Sequence, residues 1–112
     1  NYFKQKKHCL VWNVVEGIRN PMPITSNYLY VRLIGDRSIP DNQFGKIRKN
    51  KTEIIKNWAQ KLAKISDIPL ALVMANNHFE GFGPATANTL GKSLGMRELI
   101  WEEKKQKTLR SF

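Results

Sequence analysis

The sequence predicts an α/β protein built on a parallel sheet. Three short apolar runs, at residues 8–15, 28–34 and 70–75, are dense in Val, Leu, Ile and aromatic residues and read as strands buried on both faces. Long connections separate them, and one carries a helix-period pattern at 51–65. Parallel strands need such crossovers, whereas antiparallel ones close with tight hairpins. The 112 residues suit one domain, and a hydrophobic share of 41% supplies a core. Three parallel strands leave both sheet edges open, so more chain or a partner is expected to complete the sheet.

Residues 3–7 are polar and basic and fit the end of a helix. The run His8–Val15 follows as the first strand, with Cys9 expected as a packed strand residue. Two prolines and several turn residues make 16–27 a loop. Residues 28–34 form the second strand, stopped by Gly35. Pro40, Asp41 and Gly45 exclude regular structure from the long polar loop that runs to Asn50. Over 51–65, Ile54, Ile55, Trp58, Leu62 and Ile65 share one helical face. Asn50 and Glu53 have the spacing of a capping box, and Pro69 marks the stop. The third strand, 70–75, leads into the loop NNHFEGFG. Pro84 suits a first helical position, Leu90 and Leu94 carry that helix, and Gly95 is its left-handed cap. Residues 96–112 read as a charged tail or a terminal docking helix.

Net charge is +10, which fits a polyanionic partner such as nucleic acid or else a solvated lysine-rich surface. No run approaches the roughly 20 apolar residues of a membrane span, and the start does not resemble a secretory signal. Without an initial Met, the N-terminus reads as the end of a truncated segment. One cysteine and no C-x-x-C exclude an internal disulfide and argue against a cysteine zinc site, in keeping with a reducing cytoplasm. The absence of a Walker-type loop, a G-x-S-x-G elbow and an H-E-x-x-H pair argues against nucleotide hydrolases, serine hydrolases and zincins.

Two stretches carry a resemblance. Tyr30, Arg32, Leu33, Gly35 and Arg37 stand in YVRLIGDR. Trp58–Ala59 follow, then Asn76, Asn77, His78 and Gly81, then Ala85, Ala87 and Asn88. Over about residues 10–95 the chain is similar to the C-terminal part of the domain of unknown function 72 family, the YecE-like proteins. The resemblance implies the C-terminal portion of a TIM (β/α)8 barrel, a fold of roughly 250 residues when entire. Residues 1–112 would then be a single partial domain holding the last three strands, with 28–34 the seventh and 70–75 the eighth. Asp36 separates Gly35 from Arg37 where many members place the Arg directly after the Gly, so Arg32 is the firmer of the two arginines.

Active sites of such barrels sit at the C-terminal strand ends. That rule gathers Asn13 and Glu16, then Arg32, Asp36 and Arg37, then Asn76, Asn77 and His78 at one mouth. Arg32 interrupts an apolar strand and must meet a carboxylate, a phosphate or solvent; its partner is either a ligand or an internal acid, Glu16 or Asp36. His78 is a candidate general acid or base, or else an ordinary loop residue. Asn76 and Asn77 orient a substrate or simply cap the turn. Glu16 is a candidate general base or the partner of Arg32. Glu16, Asp36 and His78 lie on separate loops, so no metal site is assigned, and the residues identify no cofactor.

Four of the six residues at 46–51 are basic, and Lys46, Arg48 and Lys49 are candidate phosphate or nucleic-acid contacts ahead of a helix N-terminus. A basic solvated loop is the plain alternative. Three functions follow. One is an enzyme of small phosphorylated or carboxylated molecules. Another is a nucleic-acid binding or processing protein, with Phe79 and Phe82 stacking on bases or plugging the mouth. The third is a non-catalytic interaction module. Alone, the piece is expected to be poorly stable or to self-associate through its open edges.

Overall fold

The computed structural model describes residues 2–15 and 23–100. A short helix α1 (Tyr2–Gln5) is followed by a turn at Lys6–Lys7, where Lys7, at φ 58°, leads the chain toward the first strand. Strands β1 (Trp12–Val14), β2 (Tyr28–Leu33) and β3 (Leu70–Ala75) form one parallel sheet in the order β1-β2-β3. Helix α2 (Thr52–Ala63) crosses from β2 to β3. A one-turn helix α3 (Asn77–Glu80) and then α4 (Gly83–Ser93) follow β3. The architecture is a partial α/β fold, and no described helix is long and apolar enough to cross a membrane.

In a parallel sheet, residues paired across strands point to the same face. Trp12 pairs with Val31, Val14 with Leu33, and Val31 with Val73. This face, with Leu29, packs against Ile55, Trp58 and Ala59 of α2, Phe79 of α3 and Leu90 of α4. Each such aliphatic side chain contributes roughly 1.5–3 kcal/mol of burial. The Trp12 and Trp58 rings lie 6.2 Å apart, and the Trp12 indole N–H donates to the Pro23 carbonyl.

The opposite face corrects the expectation of strands buried on both sides. Asn13 pairs with Arg32, Tyr30 with Leu72, and Arg32 with Met74, and on this face Arg32 is exposed while Asn13 and Tyr30 are half-buried. Leu70, Leu72 and Met74 are 51, 43 and 55% exposed. Strand β3 keeps the predicted bounds, yet it is an edge strand with an open face.

Four further expectations need correction. The first strand covers only Trp12–Val14, because Thr25 takes over the backbone before it: its hydroxyl accepts from Leu10 N–H at 2.8 Å and donates to the His8 carbonyl at 2.6 Å. Cys9 therefore lies outside the strand, half-buried and free. The loop after β2 holds a 3₁₀ turn, Asp41–Gln43, with Pro40 at its N-cap. The NNHFEGFG loop holds α3, because the Asn76 side chain accepts the His78 N–H and starts a helical turn. The capping box does not close: Asn50 accepts from Thr52 N–H, while Glu53 faces Lys56 at 3.9 Å.

Helix α4 starts with Pro84 in its first turn and ends in a Schellman pair. Gly95, at φ 82°, donates to the Lys92 carbonyl, and Met96 donates to Gly91 at 2.8 Å. Residues 96–100 are not helical but dock on α4: the Asn88 amide brackets the Leu99 backbone, and Lys92 pairs with Glu98 at 3.3 Å. Residues 101–112 and Glu16 lie outside the described residues.

Candidate functional site

At the C-terminal ends of β2 and β3 a crevice of about 220 Å³ opens on the uncovered face. Tyr30, Arg32, Met74 and Asn76 line it together with the ends of both strands. Alternation along β2 sends Leu29, Val31 and Leu33 to the core, so Arg32 is directed outward. Its guanidinium has no ion-pair or hydrogen-bond partner among the described residues. Asn13 sits beside it in register, and the Asn13 Oδ1 is buried without a hydrogen-bond partner among the described residues. The planar cationic fork offers two parallel donors to an incoming carboxylate or phosphate, whereas the Asn13 Oδ1 beside it can only accept.

The other predicted residues lie around this crevice with partners of their own. Asp36 Oδ1 accepts from the Ser38 hydroxyl at 2.7 Å and the Ser38 N–H at 3.0 Å, and Lys49 Nζ pairs with Oδ2 at 3.1 Å. The Ser38 hydroxyl and N–H, then Lys49, hold this carboxyl well below the usual carboxylate range. Asp36 is thus matched to Lys49 and not to Arg32. Arg37 is exposed in the left-handed conformation at φ 64°.

Gly35, at φ 85°, lets the chain pass close to α3; a Cβ there would lie 2.3 Å from the His78 carbonyl oxygen. The His78 ring stands edge-on to Phe44 at 5.0 Å, and its Nδ1 is buried without a hydrogen-bond partner among the described residues. It does not line the Arg32 crevice. Asn77 Oδ1 accepts the Gly83 N–H at 2.8 Å and so fixes the start of α4. Of the amide pair, Asn76 both caps α3 and lines the crevice, while Asn77 is held in the turn.

The basic loop closes on α3. The Arg48 and Lys49 backbone N–H groups both donate to the Glu80 carbonyl, at 2.6 and 3.0 Å. The Arg48 side chain donates to the Gln43 carbonyl at 2.8 Å, and Lys46 is exposed. Glu80, only 3% exposed, joins three elements: its carboxylate accepts from the Lys51 N–H at 3.0 Å and from the Thr86 hydroxyl at 2.6 Å. The first turn of α2 therefore receives an anion from the chain itself. Phe79 is core, with Lys51 Nζ 4.4 Å from its ring centroid, so it is not a surface stacking platform.

Sequence reasoning missed Glu80 and Thr86. The signal available was a charged residue inside the otherwise apolar and small phrase HFEGFG. Among the described residues no three His, Cys, Asp or Glu side chains converge on a metal position.

Neither the curated proteins nor the solved structures contain a match to this chain. A family model does match, described as "Protein of unknown function DUF72", and it covers residues 2–109. With nearly the whole sequence aligned to that model, and with the Arg32 strand and the Asn76–His78 turn set at one end of a parallel sheet, the chain belongs to the DUF72 family.

Proposed function

We propose that this chain forms the C-terminal part of a TIM barrel and binds a small carboxylated or phosphorylated molecule at the barrel mouth through Arg32. The observation that carries the reading is the guanidinium itself, which faces the uncovered side of the sheet with no partner among the described residues. Asn76, in the same crevice, orients the ligand, and Asn13 stands in register beside Arg32 on the neighbouring strand. In an entire barrel the uncovered face becomes the interior, and Leu70, Leu72 and Met74 become its filling. His78 and Glu16 are the candidates for moving a proton at the rim.

Calorimetric titration of the 112-residue chain with inorganic phosphate and with succinate tests this. A two-bond contact between Arg32 and an oxyanion is worth about 1.5–3 kcal/mol, so Arg32→Gln weakens binding by tenfold or more. Equal affinity in the variant contradicts the reading.

A nucleic-acid function is the second reading, favoured by the +10 charge. The basic loop supports it less than its composition implies, since Lys49 is paired with Asp36 and Arg48 bonds within the loop. Binding of a DNA or RNA oligonucleotide with a steep salt slope would bring this reading forward.

A further inference from the structure

A cleft of about 850 Å³ opens at the other end of the sheet, one strand length (about 20 Å) from the Arg32 crevice. Its walls are α1 and its exit, the residues just before β2, and the connection from α2 to β3. Lys4, Lys7 and Lys64 line it, with Asp67 the acidic side chain of the lining. Three lysines against one aspartate leave a local charge of +2. Elsewhere among the described residues, Lys49, Lys56 and Lys92 are ion-paired, and Lys51 and Lys61 lie over the Phe79 and Trp58 rings. The three cleft lysines have neither kind of partner among the described residues. Ile24, Ile65 and Ile68 give the same cleft apolar surface. Thr25, buried, ties the wall before β2 to the exit of α1 through its bonds to Leu10 and His8, so the two sides are held together before any ligand arrives.

We infer that this cleft is a second binding site, separate from the barrel mouth, for an organic phosphate of about mononucleotide size. The volume falls in the range of small-molecule sites. Ammonium groups on flexible stems suit a phosphate as point charges. The isoleucines take the apolar body of the ligand, which inorganic phosphate lacks.

The test is titration of the 112-residue chain with adenosine monophosphate, and in separate arms with adenosine and with inorganic phosphate. The expected result is binding of the nucleotide more tightly than of either part. Lys7→Gln and Lys64→Gln each weaken it about five- to tenfold. All arms are run on the Arg32→Gln chain, so that phosphate held at the mouth does not contribute, and there Lys46→Gln leaves nucleotide binding unchanged, which separates this site from general surface charge. Both cleft substitutions are at exposed positions, and circular dichroism of each variant checks that the fold is retained. The inference is overturned if the nucleotide fails to bind, if adenosine or phosphate binds equally well, or if Lys46→Gln weakens binding as much as Lys64→Gln. Binding of an oligonucleotide with none of the mononucleotide also overturns it.

Discussion

At the scale of single residues, Gly35 and Asp36 set the geometry where β2 leaves the sheet. Gly35→Ala must accommodate a Cβ 2.3 Å from the His78 carbonyl while holding φ at 85°. It is expected to cost at least about 2 kcal/mol, read as a lower denaturant midpoint. Asp36 has its carboxyl pKa depressed by Ser38 and Lys49. A group whose folded pKa is depressed contributes stability that is present above its unfolded value, near about 4, and that is lost as pH falls through the folded value. Asp36→Asn should therefore flatten the acid limb of the stability profile below about pH 4. A variant whose acid limb matches the parent's would show that the Ser38 and Lys49 contacts do not persist in solution.

At the scale of elements, the junction of α2, α3 and α4 depends on one buried carboxylate. Thr86→Val removes the hydroxyl that donates to Glu80 Oε1 and should destabilise the chain by about 1–3 kcal/mol. Urea denaturation measures this; a loss below about 0.5 kcal/mol would mean the junction is held by packing alone. This node was not legible in the sequence, because Lys51 and Glu80 are 29 positions apart and the cap of α2 comes from across the fold. The nearby pair Asn50 and Glu53 carried the local signal instead, but Lys51 is the N-cap and the Asn50 side chain only accepts from Thr52 N–H. The extents of β3 and α4 were legible, since Pro69, Pro84 and Gly95 punctuate them in sequence. The extent of β1 was not, because Thr25 captures the backbone at His8 and Leu10 from a segment the pattern treats as loop.

At the scale of the whole molecule, the parallel sheet was readable from apolar runs and crossover lengths, but its one-sided burial was not. A continuous apolar run such as Leu70–Ala75 looks the same whether its second face is covered by the same chain or by something else. The site followed the same division. Arg32 was legible because it breaks an apolar run, whereas the pairing of Asp36 with Lys49 rests on loop geometry that no local pattern encodes. An uncovered face with Leu72 and Met74, flanked by two open edges, predicts concentration-dependent association of the isolated chain. Sedimentation should show this, and Leu72→Glu with Met74→Glu should reduce it. A strict monomer with a cooperative melt would contradict the prediction.

Arg32, exposed at the C-terminal strand ends without a partner among the described residues, is the group through which a ligand would be held. The most direct measurement is a residue-resolved NMR titration of the 112-residue chain with succinate, an anion without the apolar body or the phosphate that the lysine cleft requires. Saturable shifts are expected at the Arg32 side chain, Asn76 and Asn13, all lost in Arg32→Gln. Shifts confined to Lys46–Lys51, or an Arg32 resonance that does not move at saturation, would contradict that role for Arg32.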